Sequence, residues 1–186
     1  IDIEEVFAYL KKRRGLLDGV CITGGEPTLD PELPWLVREI KKLGYLVKVD
    51  TNGTLPRVLR GLIDEGCVDY IAMDIKNSPA KYAMTVGVVD FDTRPVEESA
   101  ALLIECGKAG RVDYEFRTTV VRGFHEEQDF HEIGRWLRGA KRYFLQEFVD
   151  SGNLVAPGLE GFGREKMREF LEIVRRYIPG AEIRGQ

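Results

Sequence analysis

Cysteine is scarce in this chain: Cys21, Cys67 and Cys106 among 186 residues. Three thiols far apart in sequence exclude a disulfide framework and point to a reduced, cytoplasmic protein. No CxxC or CxxxCxxC spacing occurs, so no local metal knuckle is available, and all three cysteines read as small packed hydrophobes. Histidine is scarcer still. His125 and His131 flank the start of a helix and read as exposed residues, not ligands. Asparagine and glutamine number three each, a shortage of thermolabile amides that fits a heat-adapted source. No apolar run approaches the roughly 20 residues of a membrane helix, and no secretory signal is expected. A net charge of −4 gives no electrostatic case for nucleic acid. The basic run Lys11–Arg14 closes the first helix, where it complements the helix dipole. Membrane and nucleic acid are therefore not expected as partners.

What is present suits a globular fold: 44% hydrophobic and 31% charged residues. A chain of this size buries roughly 70% of its unfolded surface and needs no covalent staple. Nothing resembles a linker, so residues 1–186 read as one domain. Apolar residues recur at helical spacing at Ile3–Leu10, Leu33–Leu43, Leu55–Ile63, Val96–Gly107, Phe130–Leu137 and Met167–Ile178. Between them lie short apolar strands: Val20–Thr23, Tyr45–Val49, Asp69–Met73, Glu115–Val121, Tyr143–Phe148 and a brief Ala181–Ile183. The alternation predicts an α/β fold with a parallel sheet. The strands read as near-continuous apolar runs, which predicts helices on both sheet faces. Trp35 and Trp136 fall on helices as packing residues, and residues 77–94 read as a lid or insertion.

Polar residues cluster where the strands end. The motifs are Gly24-Gly25-Glu26-Pro27, Asp50-Thr51-Asn52-Gly53, Asp74-Ile75-Lys76, Arg117-Thr118-Thr119 and Gln146-Glu147. In parallel β/α folds the carboxyl ends of the strands are the ligand-binding end. Residues two apart on a strand share a face, so Asp74 and Lys76 point together, as do Arg117 and Thr119. A carboxylate beside an ammonium suits a zwitterion such as an amino-acid headgroup. Glycines at 24 and 25 let backbone approach that ligand closely.

Together the segments V-C-I-T-G-G-E-P-T-L, V-D-T-N-G, M-D-I-K, K-Y-A-M-T-V-G and F-R-T-T-V-V resemble the radical SAM superfamily. Within it they are similar to activating enzymes of glycyl radical proteins, and Y-F-L-Q-E-F resembles the anaerobic ribonucleoside-triphosphate reductase activating type. The resemblance implies a partial (β/α)6 barrel that binds S-adenosylmethionine. Gly24, Gly25 and Glu26 would meet the methionyl amino group, and Asp50, Thr51 and Asn52 the methionine moiety and ribose. Asp74 and Lys76 would bracket the carboxylate, with Arg117 reaching the ligand. Two aspartates beside a carboxylate need neutralising, which suggests Lys76 together with a monovalent cation near Asp50, Thr51 and Asp74. No catalytic side chain is singled out.

The family holds a [4Fe–4S] cluster through CxxxCxxC, a motif that this chain lacks. The expectation is a truncated core whose first strand and cluster loop lie upstream of Ile1, inactive by itself. The intact enzyme would cleave S-adenosylmethionine reductively to a 5′-deoxyadenosyl radical and activate a glycyl radical enzyme. Its electron donor would be a ferredoxin or flavodoxin. Other substrates (a peptide, an RNA base, a small molecule), a sugar-phosphate barrel and a cluster-free binding module remain open at this point.

Overall fold

A computed structural model describes residues 2–149 and 158–185. Among these residues seven α-helices and six strands follow one another. In chain order these are α1 (Ile3–Lys12), β1 (Gly19–Ile22), α2 (Leu33–Lys42), β2 (Leu46–Thr51), α3 (Pro56–Asp64) and β3 (Tyr70–Asp74). Then follow α4 (Tyr82–Val86), α5 (Arg94–Lys108), β4 (Asp113–Val120), α6 (Glu127–Trp136), β5 (Tyr143–Glu147), α7 (Arg164–Arg175) and β6 (Ala181–Arg184). The strands form one parallel sheet in chain order, with β1 and β6 at its edges, so the sheet is an open part-barrel. None of the described helices is long and apolar enough to cross a membrane.

Local chemistry sets the element ends. The Asp2 side chain accepts from Glu4 N and caps α1, acidic residues fill its first turn, and Lys11 and Lys12 fill its last. Pro56 and Pro95 occupy opening positions of α3 and α5, where the missing N–H costs nothing. A capping box between Glu126 and Asp129 starts α6.

The helices do not cover both faces of the sheet. Strand order equal to chain order, with right-handed crossovers, places the described helices that connect the strands on one side. That side carries Val47, Val49, Ile71, Met73, Phe116 and Leu145, all in the hydrophobic core. Register places Lys48, Asp50, Tyr70, Asp74, Glu115, Arg117, Phe144 and Arg184 on the opposite, concave side. The strands therefore alternate instead of running apolar throughout.

Residues 77–94 are not a loose lid either. Asn77, Ser78 and Tyr82 are buried. Asn77 Nδ2 donates to Thr85 Oγ1 and to the carbonyl of Phe124, and Ser78 Oγ donates to Asp129 Oδ1. Lys81 pairs with Asp129 and Glu126. This half of the segment ties the end of β3 to the start of α6, while Val88 and Val89 stay exposed. His125 is also buried, at 5% exposure, contrary to its reading as a surface residue. His131 is half-buried against the Tyr177 hydroxyl. Trp136 packs edge-on to Tyr82, and Trp35 packs edge-on to Phe7 with 43% of its surface exposed.

Candidate functional site

The five segments that end polar do not all meet in one place. The tips of β1, β2, β3 and the middle of β4 enclose a cavity of about 180 Å³ lined by Thr23, Gly25, Glu26, Asp50, Thr51, Asn52, Asp74, Lys76 and Arg117. Eight of the nine residues singled out in the sequence line it. Gly24 does not, although its φ of +95° and that of +54° at Gly25 form the left-handed bend that aims Glu26 inward. Thr23 is the lining residue that sequence reasoning missed: a threonine closing a strand has no distinguishing pattern.

Glu26 acts here as a fastener between strand tips. Its Oε1 accepts from Thr28 N (3.1 Å), Thr28 Oγ1 (2.6 Å) and Thr51 Oγ1 (2.8 Å), and its Oε2 accepts from Asn52 N (2.6 Å). The turn after β1 is thereby fixed to the turn after β2. Asn52 in turn accepts from Thr54 N and Thr54 Oγ1, and Thr51 Oγ1 accepts from Gly53 N. Gly53 has φ +76°, and a Cβ there would come within 2.2 Å of the Met73 methyl.

Across the cavity floor the charges alternate in a chain. Lys48 Nζ lies 2.8 Å from Asp50 Oδ1, and Arg117 Nη1 lies 3.1 Å from Asp50 Oδ2. Arg117 Nε lies 2.5 Å from Asp74 Oδ1, and Lys76 Nζ lies 2.8 Å from Asp74 Oδ2. Burial works to raise the Asp50 carboxyl, but the Lys48 hydrogen bond and the Arg117 charge outweigh it and hold the group below the ordinary range. Burial likewise disfavours the Arg117 cation, yet its two aspartates push its pKa up. With three cations already on two aspartates, the charge argument for a monovalent cation beside Asp50, Thr51 and Asp74 lapses.

Cys21 is exposed on the concave side, 3.7 Å from Asp50 Oδ1, and is not the packed residue expected. Partial desolvation by its neighbours and the Asp50 charge raise its thiol pKa, so it stays protonated at neutral pH. Cys67 and Cys106 are buried as expected. Among the described residues no three His, Cys, Asp or Glu side chains are grouped to hold a metal ion. The thiolate set that a [4Fe–4S] cluster requires does not fit the residues of this chain.

One rung deeper, Glu115 accepts a bidentate pair from Arg184 (2.7 and 2.8 Å) and a 2.7 Å bond from the Tyr70 hydroxyl. The Arg184 guanidinium also sits 3.8 Å above the Phe144 ring. Gln146 and Glu147, at the end of β5, do not reach the cavity. A wider groove of about 770 Å³ between α6 and α7 is lined by charged helix residues such as Glu127, Arg164 and Arg168. It is a solvated surface with no strand tip facing it.

An open parallel part-barrel with charged tips over GGEP, DTNG and DIK defines a class, and the chain belongs to it: the profile of the radical SAM superfamily matches residues 1–137. A protein of Methanocaldococcus jannaschii named as a glycyl-radical enzyme activating enzyme is 32% identical over 170 residues, 90% of this chain and 70% of the relative. A 7-carboxy-7-deazaguanine synthase of Thermococcus kodakarensis is 37% identical over 81 residues, which is 42% of this chain and 31% of that enzyme. A domain of the pyruvate-formate lyase-activating enzyme from Bacteroides vulgatus superposes with a TM-score of 0.69 at 18% identity, covering 90% of this chain and 99% of that one.

Proposed function

We propose that residues 1–186 form the S-adenosylmethionine-binding core of a radical SAM enzyme that activates a glycyl radical enzyme, such as an anaerobic ribonucleotide reductase. One observation carries this reading: opposite charges from separate strand tips converge on a single small cavity. Its volume falls below the ~300–1,000 Å³ of complete small-molecule sites, which suits the methionyl headgroup, with the nucleoside lying outside on the concave face. The headgroup's ammonium would replace a cation on Asp50 or Asp74, and its carboxylate would take up the freed Lys76 or Arg117. Such an exchange leaves no charge unpaired, which keeps the desolvation cost low. Gly25 would supply a backbone carbonyl, Gly24 shapes the bend before it, and Glu26 holds the Asp50–Asn52 turn in place.

In the whole enzyme a [4Fe–4S] cluster would supply one electron to the sulfonium. This chain's residues bind and orient the ligand's headgroup. The concave face is open to a partner's glycine loop. A cytoplasmic location and a ferredoxin or flavodoxin donor accompany the reading. Partner identity rests on the relative covering 90% of the chain. The match to the deazaguanine enzyme, at 42%, supports only the shared core.

The test uses the protein with its cluster-bearing segment, reduced under anaerobic conditions with a candidate glycyl radical enzyme. Methionine and 5′-deoxyadenosine should form in equal amounts, and the partner should gain a glycyl radical signal in electron paramagnetic resonance. Cleavage without that signal on any glycyl radical enzyme would refute the partner. Absence of cleavage would refute the whole assignment.

A further inference from the structure

We infer that His125 is a positioning residue: its neutral ring fixes the carbonyl of Lys76, and through it the ammonium at the strand-tip cavity. Val121 N donates to His125 Nδ1 at 3.1 Å, so the ring proton sits on Nε2, which donates to the Lys76 carbonyl at 2.9 Å. One buried ring therefore ties the chain leaving β3 to the chain leaving β4. The peptide on the other side of Lys76 is held as well, since its N–H donates to the hydroxyl of buried Tyr82 at 3.3 Å. Ile75 N donates to the Arg117 carbonyl, and Thr118 Oγ1 donates to the Ile75 carbonyl. Lys76 thus leaves a pinned backbone before it reaches Asp74.

The neutral form follows from the surroundings. Burial lowers the His125 pKa, outweighing the raising effect of its two backbone bonds and of Asp129. The charged groups around it are Glu126 at the N-cap of α6, Glu127 and Asp129 on α6, Lys81 before α4, Lys166 on α7 and Lys76 itself. Phe130 stacks on the ring at 5.9 Å. A base with a depressed folded pKa favours the native state above the ordinary histidine range, and that contribution is lost as pH falls through the folded value. Protonation would place a hydrogen on Nδ1, ending its acceptance from Val121 N and turning it toward the Val121 carbonyl at 3.3 Å.

Two variants separate positioning from mere packing. His125→Gln can still place a donor near the Lys76 carbonyl; His125→Asn ends near the Nδ1 position and cannot. The first readout needs no ligand: ¹³C-methyl NMR of reductively methylated lysines, with the Lys76 signal assigned by Lys76→Arg. Wild type and His125→Gln should keep a displaced Lys76 signal, and His125→Asn should move it to the free-lysine position. The second readout rests on the cofactor reading above: His125→Asn should weaken S-adenosylmethionine binding about tenfold or more, while His125→Gln retains it. A Lys76 signal unmoved in His125→Asn, or one moved to the same extent in His125→Gln, overturns the inference. Should wild type bind no S-adenosylmethionine, the cofactor reading fails and the lysine NMR alone decides the role of His125.

Discussion

Arg117 holds Asp50 and Asp74 together: its Nη1 lies 3.1 Å from one carboxylate and its Nε lies 2.5 Å from the other. The bridge spans β2 to β4 across β3, and only a planar fork with several donors can make it. Arg117→Lys keeps the charge but serves one aspartate at a time. We expect a stability loss of about 1–3 kcal/mol, less than the 3–5 of a fully buried pair because these groups are partly exposed, and clearly weaker ligand binding. Thermal unfolding and isothermal titration of the same variant check both effects.

Glu26→Gln tests the fastener between the first two strand tips. A carboxylate accepts on both oxygens, and here each oxygen faces donors. The amide substitutes a donor for one acceptor and sets it against either Asn52 N or the threonine hydroxyls. The expected cost is about 1–3 kcal/mol. Amide exchange at Asn52 should rise markedly, whereas a variant equal to wild type in both measures would show the fastener to be idle.

Acid sensitivity should trace to Glu115 and Asp50. Burial would raise the Glu115 carboxyl, but the hydrogen bonds from Arg184 and Tyr70 outweigh it and hold the group low. A carboxyl whose folded pKa is depressed stabilises the native state above its unfolded value of about 4, and that stability is lost as pH falls through the folded value. Urea midpoints measured from pH 7 down to pH 3 should therefore fall steeply for wild type. Glu115→Gln should start lower and fall less, since it has no proton to take up there.

Incubated anaerobically with iron and sulfide, this chain should retain no stoichiometric iron–sulfur chromophore, because Cys21 is exposed while Cys67 and Cys106 are buried apart from it. Visible absorbance and iron analysis decide the matter.

Much of the site was legible because each motif closes its own strand. Glu26, Asp50, Asp74 and Lys76 reach the cavity from strand ends as their placement predicted, and Arg117 reaches it from the middle of β4. The concave face was not legible as such. Lys48 and Glu115 each precede a site residue by two positions, a period-2 signal, but they were absorbed into strands read as apolar throughout. Recognising them needs the fact that all helices lie on one side, which is a property of strand order. His125 was missed for another reason: its burial comes from a contact with Lys76, 49 residues earlier, that no local pattern encodes.

The reading that the strand tips grip a methionine-like headgroup can be tested on this chain directly, by titrating S-adenosylmethionine, S-adenosylhomocysteine and 5′-methylthioadenosine. The first two carry the α-ammonium and α-carboxylate, and the third keeps the adenosine but lacks both. Binding of the first two with little or none of the third is the expected result. Equal binding of all three, or of the headless nucleoside alone, would contradict it.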